Sequence, residues 1–209
     1  MSLNAYPHIA TPPAPGAPLV FVFHGTGGDE RQFPGLIARL LPGAGVVSPR
    51  GDVSEHGAAR FFRRTGEGVY DMADLARAAA KMAGFVRAHR AAHPQAPAYG
   101  LGYSNGANIL AAALLEAPEL FDRAVLLHPL IPWTPAPVPG LAGREILITG
   151  GRRDPIGPLE TTYALSDFLK AQGAQVELGL HNGGHEIRPE EFEAVADFLR
   201  RPLPAVPAA

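Results

Sequence analysis

One serine of this sequence stands between two glycines, in the stretch GYSNG (102–106). It follows the apolar run APAYGLGY (96–103) and precedes NGANILAAALLEA (105–117), a pattern typical of a strand, a tight turn and a buried helix. The hydroxyl would then lie at the helix N-terminus, where the helix dipole favours developing negative charge. The G-x-S-x-G pattern predicts a nucleophile elbow with Ser104 as nucleophile. A glycine-rich turn with a helix-capping serine is the alternative.

A serine hydroxyl needs a neighbouring base, which is itself oriented by an acid. On a turn of this kind the chain order is serine, acid, histidine. Asp154 follows the apolar run REILITG (144–150), at the end of a predicted strand, and is the predicted acid. His185 follows two glycines that would let its loop bend over the serine. Spacing favours His185 as the base, with His181 as the alternative, and assigns His128 to a structural or pocket-wall role.

Acyl transfer also requires hydrogen-bond donors for the oxyanion. The backbone N–H of Asn105, directly after the nucleophile, is one predicted donor. The loop HGTGGDE (24–30) follows an early strand, and its glycines free the backbone so that Thr26 can supply the second. A phosphate-binding loop is the alternative, but the fingerprints of such loops are absent. His24 is predicted to hold this loop rather than to act as the base.

The elements that would position these residues alternate along the chain. Continuous apolar runs predict buried strands at 19–25, 45–49, 96–103, 123–129, 144–150 and 175–180. Helical periodicity, with proline and glycine near the ends, predicts helices at 35–41, 71–93, 105–117, 160–173 and 189–201. This alternation predicts an α/β fold with a mostly parallel central sheet and helices on both faces. Active sites in such folds lie beyond the carboxyl ends of the strands.

Composition limits the function classes. The net charge of −2, without a basic stripe, argues against nucleic acid as a partner, and the absence of cysteine removes thiolate chemistry. No apolar stretch is long enough for a membrane span or a signal peptide, so we expect a cytoplasmic protein with no membrane partner. We expect one domain over residues 19–201, an extended segment at 1–18 and a proline-rich tail at 202–209. The stretches TPPAPGAP (11–18) and RPLPAVPAA (201–209) are predicted to pack weakly.

Several stretches together resemble one known family. They are HGTGGDE, RFFRR with GVYDMADL, GYSNGANI, HPLIP, the DPI at Asp154 and the GGH at His185. With them the chain, from about Leu19 to Arg200, resembles the phospholipase/carboxylesterase family of the α/β-hydrolase superfamily. Within that family it is similar to small bacterial esterases that have no cap domain.

The resemblance implies an α/β-hydrolase fold with a Ser104–Asp154–His185 triad and an oxyanion hole at Thr26 and Asn105. It also implies hydrolysis of small carboxylic esters or thioesters without a cofactor or metal. Acyl-protein thioesterases of this family often carry glutamine after the nucleophile. The asparagine of this chain favours the small-molecule subgroup.

An arginine-rich segment precedes the long helix, with Arg60, Arg63 and Arg64 around two phenylalanines. Arg63 and Phe62 are the predicted substrate contacts here, the arginine binding an anionic group of the substrate. A cluster of surface salt bridges is the alternative. Trp133, in a proline-stiffened loop, is predicted to form an apolar pocket wall, and Tyr103 lies in either the core or the pocket.

These residues predict a serine hydrolase that cleaves small carboxylic esters through an acyl-enzyme intermediate. Its expected partner is a small-molecule ester, and the chain is expected to be a monomer or homodimer. One alternative keeps the triad but changes the bond, to that of a lactone or a peptide. Another is a non-catalytic binding protein on the same scaffold.

Overall fold

A computed structural model describes residues 2–203. Their strands are, in chain order, β1 (His8–Thr11), β2 (Leu19–Phe23), β3 (Gly45–Pro49), β4 (Val53–Glu55), β5 (Ala58–Arg60), β6 (Arg64–Gly66), β7 (Val69–Tyr70), β8 (Ala98–Tyr103), β9 (Arg123–Leu127), β10 (Glu145–Gly151) and β11 (Gln175–His181). Their α-helices are α1 (Pro34–Leu40), α2 (Met72–Ala92), α3 (Asn105–Glu116), α4 (Leu159–Ala171) and α5 (Pro189–Arg200). Two short 3₁₀ turns lie at Pro118–Leu120 and Pro139–Leu141.

The central sheet has seven strands in the order β1-β3-β2-β8-β9-β10-β11. β1 runs antiparallel to β3, and the other neighbouring pairs are parallel. The carboxyl ends of the parallel strands therefore meet at one edge, where ligands bind in open α/β sheets. Ser104 follows β8, Asp154 follows β10 and His185 follows β11, so the topology brings all three to that edge.

Helices cover both faces of the sheet, as predicted. α2, α3 and α4 share one apolar core with Phe21 and Phe23 of β2, whereas α1 and α5 share a second core with Val20 and Val22. Successive side chains of a strand point to opposite faces, so a strand covered on both sides is apolar throughout. Within the described residues no cap domain interrupts this arrangement, and no helix is long and apolar enough to cross a bilayer.

The N-terminal segment, predicted only as extended, contains a strand that the sequence analysis did not predict. His8–Thr11 form an edge strand paired with β3. Tyr6 is buried, and the centroid of its ring lies 5.3 Å from that of Phe85. Backbone pairing at an edge does not require a long apolar run, which is why the pattern missed this strand. At the other end, residues 204–209 of the predicted tail lie outside the described residues.

Two short hairpins stand where the sequence predicted a loop before α2. β4 pairs with β5, and β6 pairs with β7, both antiparallel. Phe61 and Phe62, which connect the two hairpins, are fully buried and anchor them to the core below α2. The hairpins place Arg60 and Arg64 beside the edge of the sheet that carries Ser104.

Helix α3 approaches β8 and β2 so closely that only glycine fits at the contacts. A Cβ on Gly106 would lie 2.1 Å from the carbonyl oxygen of Phe23, and a Cβ on Gly102 would lie 2.4 Å from that of Gly106. These neighbours are backbone atoms of packed elements, which cannot move aside cheaply. The two glycines therefore set the distance between helix and sheet at the turn that holds Ser104.

We expect Gly106→Ala to lower the free energy of unfolding by at least about 2 kcal/mol, because the added methyl overlaps backbone atoms. Chemical denaturation measures this change. Gly35→Ala is the matched control, since a Cβ at Gly35 of α1 meets nothing within 4 Å. The control should leave stability unchanged or raise it by up to about 1 kcal/mol. Equal stabilities of Gly106→Ala and the wild type would contradict the close contact.

Candidate active site

Ser104 sits on a strained turn between β8 and α3. Its φ of 52° and ψ of −117° lie where residues with side chains are rare. The turn is fixed on the sheet side because the N–H of Ser104 donates to the carbonyl of Leu127 at the end of β9, at 2.9 Å. This is the geometry that the G-x-S-x-G pattern predicts.

The structure brings Ser104, His185 and Asp154 into contact. Nε2 of His185 lies 2.9 Å from the Ser104 hydroxyl oxygen, and Nδ1 lies 2.7 Å from Oδ2 of Asp154. Because a carboxylate only accepts, Nδ1–H of His185 donates to Asp154, which leaves Nε2 free to accept the serine proton. The three groups thus have the geometry of a nucleophile, a base and an orienting acid.

The Asp154 carboxylate is held from several sides. Its Oδ1 accepts the backbone N–H groups of Ile156 and Gly157 at 2.8 and 2.9 Å, and its Oδ2 accepts from His128 as well as His185. Burial would raise the pKa of Asp154, but the hydrogen bonds from both histidines and both N–H groups hold it well below its usual range. The carboxylate therefore stays charged and fixed in orientation at neutral pH.

His185 is also fixed through its backbone. The hydroxyl of Tyr103 donates to the carbonyl of His185 at 2.8 Å, and the centroids of the two rings lie 5.5 Å apart. Tyr103 is half-buried and lines the space in front of Ser104, so it belongs to the pocket and also supports the candidate base.

His181, the alternative base, does not contact Ser104. Its Nδ1 accepts the N–H of Gly183 at 3.0 Å, and its Nε2 lies 3.2 Å from Oε2 of Glu191. Both ring nitrogens are therefore in use within the buried interior. The geometry places His185, and not His181, against the serine.

A buried charged network extends from Asp154 into the protein. Nδ1 of His128 lies 2.9 Å from Asp154, and Nε2 lies 3.1 Å from Oε1 of Glu191, which also accepts the Thr149 hydroxyl at 2.6 Å. Two carboxylates can be bridged in this way only when both ring nitrogens of His128 donate. Burial would lower the pKa of His128, but the hydrogen bonds to Asp154 and Glu191 raise it to about 9. His128 is therefore an imidazolium at neutral pH.

Sequence reasoning missed the charged role of His128 and did not single out Glu191. The sequence could have indicated Glu191, because its spacing places it on the apolar face of α5 with Val195 and Phe198. A charged residue on that apolar face requires a buried partner. The ligand atoms of His128, His181 and Glu191 also lie within 4.8 Å of one another, as metal ligands would. Within this cluster, His128 and Glu191 are joined by a hydrogen bond of 3.1 Å.

The two predicted oxyanion donors lie at the same cavity. Thr26 is held between Gly25, whose N–H donates to the Gln32 side chain at 2.9 Å, and Gly27, whose N–H donates to Ala59 at 3.0 Å. Across the part of the chain that the structure describes, the N–H groups of Thr26 and Asn105 have no hydrogen-bond acceptor. Both are therefore available to a ligand.

His24 holds the same loop, as predicted. Its Nε2 accepts the N–H of Gly51 at 2.9 Å, so its Nδ1–H donates to the carbonyl of Gly25 at 2.7 Å. Burial lowers the pKa of His24, which agrees with this neutral form.

Ser104 opens onto a cavity of about 300 Å³, here called the Ser104 cavity. Its lining includes Thr26, Arg60, Arg64, Tyr70, Leu130 and Ile156. Tyr70 is held in this wall because its hydroxyl donates to the carbonyl of Leu130 and accepts from Asn108, both at 2.8 Å. Tyr70 is therefore fixed in this wall by hydrogen bonds on two sides.

Three predicted substrate contacts lie elsewhere. The side chain of Arg63 is 61% exposed and pairs with Asp71 and Asp74, outside the cavity. Phe62 is fully buried, and Trp133 lines a separate apolar groove; both rings pack against Tyr70 instead of facing Ser104. The arginines that reach the Ser104 cavity are Arg60 and Arg64. The directions of the Arg60, Arg63 and Arg64 side chains depend on the two hairpins, which the sequence pattern did not predict.

The fold and this geometry together define an α/β hydrolase. The family described as Hydrolase_4, serine aminopeptidase S33, matches residues 15–150. The chain therefore belongs to the α/β-hydrolase superfamily, as the motifs predicted.

Individual relatives agree with this assignment. MhqD of Bacillus subtilis (strain 168), which is named as a hydrolase, is 31% identical over 187 residues, covering 88% of this chain and 94% of that protein. The carboxylesterase of Bacillus cereus has a TM-score of 0.89 and 31% identity over 94% of each chain. The protein Atu2452 of Agrobacterium tumefaciens str. C58 has a TM-score of 0.88 and 58% identity, covering 95% of this chain and 98% of that one. This chain is a hydrolase with the architecture of carboxylesterases.

The buried imidazolium predicts a loss of stability at alkaline pH. The pKa of His128 is about 9 in the folded chain against an ordinary 6.5, so the native state binds this proton more tightly than the unfolded state. The stabilisation is complete below about pH 6.5 and is lost as pH rises through about 9. We expect the free energy of unfolding to fall by up to about 3 kcal/mol over this range, measured by chemical denaturation.

His128→Asn is the matched variant, because an amide does not titrate there. Its unfolding free energy should be lower than that of the wild type at pH 7, and it should depend less on pH between 7 and 9.5. If the free energies of unfolding of the two proteins changed equally with pH, His128 would not be an imidazolium in the folded state. If the variant does not fold, a wild-type curve that stays flat up to pH 9.5 would show the same.

Proposed function

We propose that this chain is a serine carboxylesterase that hydrolyses small carboxylic esters through an acyl-enzyme intermediate. One observation carries the proposal: the Ser104 hydroxyl lies 2.9 Å from Nε2 of His185 at the floor of an open cavity. The likeness to the Bacillus cereus carboxylesterase supports a carboxylic ester as the bond that is cleaved.

Acylation follows from the hydrogen-bond directions. Nε2 of His185 accepts the proton of Ser104 as its oxygen attacks the ester carbonyl, and the charged Asp154 stabilises the imidazolium that forms. The N–H groups of Thr26 and Asn105 donate to the oxyanion, each contributing a few kcal/mol. The tetrahedral intermediate then collapses, and His185 returns its proton to the departing alcohol.

Deacylation repeats these steps with water. His185 accepts a proton from water, which attacks the acyl carbonyl, and Ser104 leaves with the proton restored. The same steps would cleave a thioester, whose leaving group is a thiol. The cavity of about 300 Å³ is at the small end of ligand pockets, which favours short acyl groups.

Ser104→Ala should reduce hydrolysis of phenyl butanoate by at least about 10⁴-fold, because no nucleophile remains. The measurement is kcat against phenyl butanoate and the matched thioester, with circular dichroism to show that the fold is intact. A folded Ser104→Ala variant that retains wild-type turnover would refute the mechanism. A wild-type protein that hydrolyses neither ester would instead favour a binding role for this scaffold.

His185→Ala and His181→Ala separate the two candidate bases. His185→Ala should lower kcat by about 10³-fold or more, because Nε2 of His185 accepts the serine proton. His181→Ala should keep kcat within about tenfold, since His181 contacts Glu191 and not Ser104. Steady-state kinetics with phenyl butanoate measures both. Equal losses from the two variants would contradict the assignment, and a larger loss from His181→Ala would reverse it.

A further inference from the structure

Arg60 places a buried positive charge on the wall of the Ser104 cavity. Its side chain is 4% exposed, although it lines the same cavity as Ser104. A buried guanidinium is stable only when it is paired and hydrogen-bonded, because leaving water is costly for a charge. The partners of Arg60 therefore decide whether its charge is satisfied by the protein alone.

The protein satisfies that charge incompletely. The nearest carboxylate oxygen, Oε2 of Glu55, lies 3.6 Å from Nη1 of Arg60, too far for a hydrogen bond. The other oxygen of Glu55 accepts Nε of Arg64 at 2.9 Å, and Glu67 accepts Nη1 of Arg64 at 2.6 Å. Arg64 thus has hydrogen bonds to two carboxylates. Among the described residues, Arg60 has only Glu55 nearby, beyond hydrogen-bond distance.

The remaining contacts of Arg60 are with neutral groups. Nη1 donates to the Thr26 hydroxyl at 2.7 Å, and Nε donates to the carbonyl of Phe62 at 3.3 Å. Nη2 has no hydrogen-bond acceptor anywhere between residues 2 and 203. One edge of the guanidinium is therefore free to bind an anion.

The position of Arg60 is tied to the nucleophile. The backbone N–H of Phe61, the next residue, donates to the side chain of Asn105 at 2.8 Å. Asn105 follows Ser104 directly. Thr26, whose hydroxyl accepts a hydrogen bond from Arg60, is a proposed oxyanion donor. The charge is thus held at a fixed place relative to the acyl group that Ser104 would carry.

We propose that Arg60, with Arg64 beside it, binds a free carboxylate of the substrate, so that the natural substrates are esters bearing a second, ionised carboxyl group. This inference rests on the proposed esterase function of the same cavity. A planar carboxylate matches the fork of a guanidinium and would supply the close negative partner that Arg60 lacks. The carboxylate can belong to the acyl part, as in half-esters of short dicarboxylic acids, or to the alcohol part.

Three phenyl esters test the proposal and locate the carboxylate. Phenyl hydrogen succinate carries it in the acyl part, 3-(butanoyloxy)benzoate carries it in the alcohol part, and phenyl butanoate has none. After correction for uncatalysed hydrolysis, the wild type should show a kcat/KM at least about tenfold higher for one of the charged esters than for phenyl butanoate. Equal or lower values for both charged esters would overturn the proposal.

Arg60→Gln should abolish that preference. Glutamine keeps an N–H donor near the position of Nε, which donates to the carbonyl of Phe62, but it removes the charge. The readout is the ratio of kcat/KM for the charged ester to that for phenyl butanoate. Arg63→Gln is the matched control, because Arg63 lies outside the cavity, and its ratio should equal that of the wild type. A loss by Arg60→Gln that is equal for all esters would show that Arg60 only positions the Thr26 loop.

A binding measurement makes the test independent of catalysis and of the folding of Arg60→Gln. By calorimetry, the wild type should bind succinamate, which carries one carboxylate, at least about tenfold more tightly than the neutral diamide succinamide. Equal affinities would overturn the proposal. If no ester is hydrolysed in a Ser104-dependent manner, the esterase function fails. If phenyl butanoate is hydrolysed without any preference for charged esters, the carboxylate site alone fails.

Discussion

The close packing of α3 against β8 and β2 is the constraint on which the rest of the site depends. Gly102 and Gly106 allow backbone to approach backbone, and the turn between the two elements is thereby forced to a positive φ at Ser104. That one turn presents the hydroxyl and leaves the N–H of Asn105 unused at the start of the helix. The Asn105 side chain also anchors Phe61 and with it the segment that carries Arg60. A single packing contact thus places the proposed nucleophile, a proposed oxyanion donor and the arginine-lined wall of the Ser104 cavity together.

Electrostatics complements this packing. Asp154 accepts hydrogen bonds from two imidazoles, of which His185 faces the serine and His128 faces the interior. His128 in turn bridges to Glu191, so carboxylate, imidazolium and carboxylate alternate through the buried interior. Buried charges are tolerated when each has an opposite partner at hydrogen-bond distance, and here each does. The result is a carboxylate at Asp154 that stays ionised and fixed in orientation, as its proposed role toward His185 requires.

Much of this arrangement was predictable from sequence, because the relevant signals are local. Continuous apolar runs located the parallel strands, and positions just beyond strand ends indicated Ser104 and Asp154. The loop after the last strand offered both His181 and His185, and the two glycines before His185 favoured it. The edge strand β1 and the hairpins before α2 were missed, since both depend on backbone pairing that leaves little trace in apolar periodicity. The error at Arg63 has the same origin. Only the register of the hairpins decides that Arg60 faces the cavity while Arg63 faces solvent.

If Ser104 is an activated nucleophile, it should react with reagents that label such serines covalently. A fluorophosphonate reacts with a serine only where a base and an oxyanion hole assist the attack. Intact mass spectrometry of the protein treated with such a reagent should show one adduct for each chain, and peptide mapping should place it on Ser104. An unlabelled protein, or an adduct on another residue, would contradict the account.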